Sequence, residues 1–295
     1  MIEVYEKIAY IPILFIISFF LKKAKVFDKS SADLMLKIVF YLGLPAILID
    51  SFSKIDLSLV DLKLTFFGFL IISANLIIST SYFYLKKRSI TNIYVVGSAI
   101  MNNGFLIPFI KSYFGEEGLS RLFILDLANG ILAFTIVYFI ASKENHSYNG
   151  KNLIRFLKSP PLIFLLVAFI IGFGNIQIPK IIIPAINSLS ELTIPLIILS
   201  LGLYFEFNIK MFVKGFNVLL FRVIPALIVA IFIVLFFDVS KLDKSIIIIC
   251  AIAPVGFNTL TFASMEDLDT KLASSAVSTG ILYGMIVIPI ILSIL

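Results

Sequence analysis

Apolar runs recur from end to end of the chain, separated by short segments that hold most of its Lys, Asp and Glu. A membrane-crossing helix needs about 20 mostly apolar residues. Runs of that kind predict spans at 4–21, 32–52, 62–85, 92–113, 119–141, 160–173, 181–203, 215–237, 245–263 and 272–294. The sixth is short and opens on Ser159-Pro160-Pro161, so a tilted or re-entrant segment fits it as well as a full crossing. No remaining stretch is long enough for a soluble domain. The fold class expected is an all-α integral membrane protein of about ten transmembrane helices.

Composition agrees with this pattern. The chain of 295 residues is 60% hydrophobic and 14% charged, where a soluble domain carries about 25% charged residues. The lipid bilayer is therefore the expected solvent for most of its surface. The net charge of +6 does not point to nucleic acid, because the basic residues cluster beside helix ends, where they set topology. Lys22, Lys23, Lys25 and Lys29, the triplet Lys86-Lys87-Arg88, and Lys143, Lys151, Arg155 and Lys158 all fall on one face. Lys210, Lys214 and Lys271 join them, and the opposite face holds fewer cations. The rule that cytoplasmic loops are positive then places both termini outside. The first seven residues lack a basic leader, so the first span reads as a retained helix. Abundant Lys, Ile, Phe and Asn suit an AT-rich bacterial genome, and with it the inner (plasma) membrane.

The two halves echo each other. Leu44-Pro45-Ala46-Ile47-Leu48 resembles Ile194-Pro195-Leu196-Ile197-Ile198, 150 residues later. Gly104-Phe105 recurs as Gly256-Phe257 after 152 residues, and Gly130-Ile131-Leu132 as Gly280-Ile281-Leu282 after 150. The halves are thus 1–141 and 160–295, joined by a polar linker at 142–159. Five spans per half is an odd number, so the second copy runs inverted through the membrane. Inverted repeats of this kind characterise secondary transporters, whose sites lie at mid-membrane.

Polar and helix-breaking residues sit in the middle of spans four and nine. Asn102, Asn103, Gly104 and Pro108 occupy the fourth; Pro254, Gly256 and Asn258 occupy the ninth. At 1.5 Å per residue, Asn102 lies about 16 Å into a core of about 30 Å. Proline has no N–H, so Pro108 frees the Gly104 carbonyl and Pro254 frees that of Cys250. Lipid offers no substitute donor, so such breaks persist only against protein or a wet cavity. Interrupted helices present N-termini that suit an anion, helped by the three Asn amides. Glu191 in span seven, and Asp126 with Asn129 on one face of span five, are the candidate ion-coupling residues, for a proton or a sodium ion. A single cysteine, Cys250, and a single histidine, His146, in a polar loop leave no metal cluster or cofactor motif.

Together these residues resemble the auxin efflux carrier family, which includes bacterial permeases of malate and malonate type and the plant auxin carriers. The likeness runs over nearly the whole chain. It rests on Gly43-Leu44-Pro45-Ala46, on Asn103-Gly104-Phe105-Leu106-Ile107-Pro108 followed by Phe114-Gly115-Glu116-Glu117-Gly118-Leu119, and on Asp126 with Asn129. It continues through Ser159-Pro160-Pro161, Pro195 with Leu201-Gly202, and Ala253-Pro254 to Asn258. The resemblance implies two inverted five-helix repeats, with helices four and nine crossing at proline-broken centres. It also implies separate scaffold and transport regions, an elevator-like movement and small organic anions as substrates. Asn102, Asn103 and Pro108 with Pro254 and Asn258 would then form the centre of the site. The long central loop of many plant members is absent here.

Other classes fit less well. An intramembrane enzyme would need a nucleophile with its base, or a metal site, and no His-Glu-x-x-His or Gly-x-Gly-Asp pattern is present. A sodium/proton antiporter would place paired carboxylates where this chain has asparagines. A cation-coupled carrier of another substrate and a non-transporting receptor remain as alternatives. The expected partners are a small carboxylate, the lipid bilayer and a second copy of the chain in a homodimer.

Overall fold

A computed structural model describes residues 6, 8–54, 63–86, 93–142, 154, 157–206 and 209–295. The linker with His146 and the Lys87-Arg88 pair lies largely outside the described residues. Among the described residues the chain is all-helical, with no strand beyond an isolated antiparallel bridge. In order, α1 is Tyr10–Lys23, α2 Lys29–Ile38, α3 Leu44–Phe52, α4 Lys63–Leu85, α5 Ile93–Ala99, α6 Asn103–Leu132 and α7 Tyr138–Ser142. After the linker come α8 (Pro160–Gly174), α9 (Ile183–Tyr204), α10 (Ile209–Phe236), α11 (Lys241–Ala251), α12 (Asn258–Met265) and α13 (Thr270–Leu292). A π-helical turn, Val39–Gly43, joins α2 to α3 just before Pro45, whose missing N–H breaks the regular ladder there. A second π-helical turn, Ala133–Val137, joins α6 to α7.

Six of these helical stretches are long and apolar enough to cross a membrane, and Leu162–Gly174 is a shorter apolar helix. The outer faces are correspondingly apolar. On α10, Val213, Phe216, Leu220, Ile224, Ile228, Ile231 and Leu235 form one exposed stripe at helical spacing. From Val213 to Leu235 the helix rises about 33 Å, which matches a hydrocarbon core of about 30 Å.

The longest stretch, Asn103–Ser142, is 40 residues, but it is not a single rod. A straight helix would separate Asn103 from Asp126 by about 35 Å, yet the Asn103 Nδ2 donates to Asp126 Oδ1 at 2.7 Å. The chain therefore doubles back between them. Gly115, at φ 66° and ψ −152°, is the one non-helical residue inside α6. The first arm of α6 thus runs up to the turn at Gly115 and the second arm returns beside it. The predicted fourth span, 92–113, covers α5, the gap after it and the first arm; the fifth, 119–141, covers the second arm and the turn into α7.

Helices pack in two groups, each drawing on both halves of the sequence. In the first, α9 packs along α1, α2 and α3, and α8 packs on α3. Gly202 lets α9 approach the Phe15 carbonyl and Ser18 of α1, the small-residue contact by which membrane helices come close. In the second, α10 packs on α13, α4 and α5, α4 packs along α6, and α11 joins both α10 and α6. Gly68 of α4 rests on the Leu125 carbonyl and Ala128 of α6 in the same way. The main contact between the groups is that of α3 and α9 with α6.

The φ and ψ at Gly115 lie in a region that is essentially closed to residues with a Cβ, so Gly115→Ala should cost about 1–3 kcal/mol. A thiol-reactive dye reports this directly, because the chain's one cysteine, Cys250, is fully buried until the protein unfolds. An unchanged melting temperature for the variant would contradict the hairpin described here.

Candidate functional site

The site begins where two helices stop. Helix α5 ends at Ala99 and α6 begins at Asn103, leaving Ile100, Met101 and Asn102 without a helical ladder. Asn102 caps α6, its Oδ1 accepting from the Phe105 N–H at 3.2 Å. Helix α11 ends at Ala251 and α12 begins at Asn258. Pro254 cannot donate, and it also disfavours helix at Ala253, so the intervening chain is extended or turned. The two gaps pair with each other. Asn102 N donates to Pro254 O and Gly256 N donates to Ile100 O, both at 2.9 Å, on either side of an antiparallel bridge between Met101 and Val255.

Gly256 is required at this contact. A Cβ there would stand 2.5 Å from Ile100 Cγ2 and 2.8 Å from the Met101 carbonyl oxygen. Asn129, on the second arm of α6, completes the arrangement. Its Oδ1 accepts from Met101 N at 3.0 Å and its Nδ2 donates to Met101 O at 3.3 Å. One side-chain amide thus does for Met101 what a neighbouring strand would do.

Beside these paired gaps lies a cleft of about 440 Å³, within the range of small-molecule sites. Its polar lining comes from Asn103, Gly104, Asp126, Ser159 and Asn258, and its apolar lining includes Phe40, Leu44, Leu48 and Phe134. Asp126 Oδ1 accepts from Asn103 Nδ2 at 2.7 Å and Asn129 Nδ2 at 2.8 Å. Asn103 is buried and its Oδ1 has no donor. Gly104 is exposed to the cleft, and its carbonyl has lost its helical donor to Pro108. First-turn N–H groups have no partner within their own helix, and the first residues of both α6 and α12, Asn103 and Asn258, face this space.

The predicted residues therefore divide. Asn103, Gly104, Asp126 and Asn258 line the cleft; Asn102, Asn129, Pro254 and Gly256 form the wall behind it. Pro108 is buried inside a continuous first arm of α6, so the break precedes it instead of lying at it. The reason is that Asn102 is the better stop signal: as a cap it satisfies the N–H groups that a new helix start exposes. Glu191 is exposed on α9 and does not line the cleft.

Two buried polar residues escaped the sequence reading. Arg222 is fully enclosed, and its Nη2 donates to the Cys250 carbonyl at 3.0 Å. That carbonyl is the one that Pro254 deprives of a helical donor. Asn75 on α4 is also fully buried, donating to the Ser98 and Arg222 carbonyls at 2.8 and 2.9 Å. The signal for both was present as polar residues within apolar runs.

The far end of α3 is closed by an ionic cluster between the two helix groups. Lys54 pairs with Asp50 at 2.5 Å, and Lys111 of α6 pairs with Glu116 and lies 3.8 Å from Asp50. Ser51 Oγ donates to Glu116 at 2.7 Å, and Ser190 of α9 donates to Asp50 at 3.1 Å. Along α3 and α8 the cleft sits at the level of Leu48 and Leu162, and this cluster near Phe52 and Phe169.

Over residues 3–292 the chain matches the family of membrane transport proteins, the auxin-efflux-carrier-like family. The chain belongs to this family. It is also similar to two archaeal proteins named as uncharacterized transporters. That of Methanocaldococcus jannaschii is 27% identical over 297 aligned positions, covering 96% of each chain. That of Methanothermobacter thermautotrophicus is 24% identical, covering 97% of this chain and 96% of its own. The protein is thus a multi-pass membrane transporter and not an enzyme.

Two measurements test this geometry. Gly256→Ala should prise the two gaps apart, lowering the melting temperature and abolishing transport; a variant with wild-type stability and flux would contradict the packing. Glu116→Gln should loosen the cluster, so that Ser190→Cys, placed in a Cys250→Ser background, reacts faster with a membrane-impermeant maleimide. Equal labelling with and without Glu116 would mean that the cluster does not seal that end.

Proposed function

We propose that the chain is a secondary transporter of small organic anions, of malate or malonate type or related carboxylates. The observation that carries this is the meeting of two helix starts, at Asn103 and Asn258, on one cleft beside a mid-chain crossing. Helix N-termini carry partial positive charge, which suits a carboxylate. The Asn258 side chain makes no hydrogen bond within the described residues, so its amide is available to a ligand. The apolar walls suit a short carbon skeleton.

Alternating access follows from the two helix groups. The cleft lies between them, with Leu48 and Leu162 from one group and Asn103, Asp126 and Asn258 from the other. Movement of the second group along the first, breaking the Asp50–Lys111 contact, would carry the anion across in an elevator-like step. Ten spans as two inverted five-helix repeats, both termini outside in the inner membrane and a homodimeric assembly complete this reading. The Asp126 carboxylate in the same cleft favours a second possibility, a carrier of cations, and the first experiment separates the two.

Uptake of labelled malate, malonate and lactate into proteoliposomes is that experiment, with a cationic amine as comparison. Saturable carboxylate flux is expected, falling about tenfold or more in the folded double variant Asn103→Ala plus Asn258→Ala as hydrogen bonds to a charged ligand are lost. Flux of the amine alone, or carboxylate flux untouched by the double variant, would refute the assignment.

A further inference from the structure

Two opposite charges stand near the paired gaps, and neither has an ion-pair partner among the described residues. Asp126 makes hydrogen bonds only through Oδ1, to the two Asn amides. No Lys or Arg among the described residues lies within ion-pair distance of it. Arg222 is completely buried; beyond its bond to the Cys250 carbonyl, its Nε and Nη1 have no partner. Both groups bear on the same pair of helix gaps: Arg222 through the Cys250 carbonyl near the end of α11, and Asp126 through Asn129, which holds Met101 opposite Val255. The other elements lining the cleft around Asp126 bring no further charge: α12 offers Asn258, the start of α8 Ser159, and the Val39–Gly43 turn and α3 apolar side chains.

Net charge is what such a region tolerates least, since an unbalanced ion away from water costs several kcal/mol. The Arg222 guanidinium holds its proton under all ordinary conditions. With Asp126 ionised, the two charges sum to zero and the empty site is balanced. A carboxylate entering alone would set two negative charges in one cleft. A carboxylate entering while Asp126 takes up a proton restores the sum to zero. The proton also brings a donor beside Asn103, whose buried Oδ1 lacks one.

We propose that transport couples one proton, carried on Asp126, to each monovalent anion, with Arg222 as the fixed positive charge. Arg222 balances the Asp126 carboxylate in the empty cleft and the bound anion in the loaded one. This rests on the small-anion reading above and names its coupling ion. The proton comes from solution on the side where the cleft is open, forms an O–H bond on the carboxyl, and returns to solution with the anion on the other side. Arg222 acts as a positioning residue, through the Cys250 carbonyl and through its field, and does not touch substrate.

Purified full-length protein in liposomes loaded with a pH-sensitive dye tests this, with labelled lactate as monoanion and malate as dianion. Protein-free vesicles give the passive leak of lactic acid. Each anion is expected to enter with one proton, so a clamped membrane potential leaves lactate flux unchanged and drives malate flux. In Asp126→Asn the protein-dependent pH signal should vanish, and any remaining flux should lose its pH dependence, whatever its rate. Arg222→Gln should lower flux about tenfold or more, with Arg222→Lys restoring most of it; dye-monitored melting shows that both are folded. Carboxylate flux without proton movement, a pH signal that persists in Asp126→Asn, or full flux in Arg222→Gln would overturn the proposal alone. No carboxylate flux in the wild type would overturn it together with the small-anion reading.

Discussion

Backbone polar groups in a dry environment must be satisfied within the protein, and the crossing is where this chain meets that demand without a helix. Four local solutions meet there. The two gaps satisfy each other through Asn102 with Pro254 and Gly256 with Ile100. Asn129 serves both backbone groups of Met101. Asn102 caps the helix that follows, and Arg222 takes the Cys250 carbonyl. Because the two gaps come from opposite halves of the sequence, their pairing also fastens those halves together. Close approach needs glycine at 256, and Gly280 and Gly284 of α13 make room for Pro254 behind it.

The same requirement explains the local electrostatics. A side chain that replaces a missing backbone partner must be polar, and it brings its charge or dipole with it. Asn103 and Asn129 steady Asp126 at the edge of the cleft, and Arg222 stands behind the end of α11. In the proposed function, structural repair and ligand recognition draw on the same residues. The variants Asn103→Ala, Asn258→Ala and Arg222→Gln need a stability measurement beside each flux measurement for that reason.

Division into two helix groups gives the cleft its place between them. Within each group, small residues such as Gly202 and Gly68 bring helices into close contact. Between them the contact is narrower, and at one end it depends on exchangeable ionic and hydrogen-bonded pairs around Asp50, Lys111 and Glu116. Partly exposed ion pairs contribute little net stability, which suits a contact that the proposed elevator-like step would break.

The helical class, the membrane setting and the family were legible in the sequence because they depend on hydrophobic run length and on local breakers. A run of about 20 apolar residues has few alternatives to a membrane helix, and Asn, Gly and Pro within such a run announce an interruption. The position of the break was less legible: Pro108 drew attention, but a capping residue, Asn102, decided it. Glu191 and Arg222 show the limit most clearly. Both are charged residues inside apolar runs; one is exposed on α9 and the other is sealed at the crossing. Which way a helix face turns, and which distant carbonyl lacks a donor, is settled by packing between helices far apart in sequence. The chain's local chemistry supplied the parts of the site; only the tertiary fold brought Asn129 to Met101, Arg222 to Cys250 and Asp126 to the cleft.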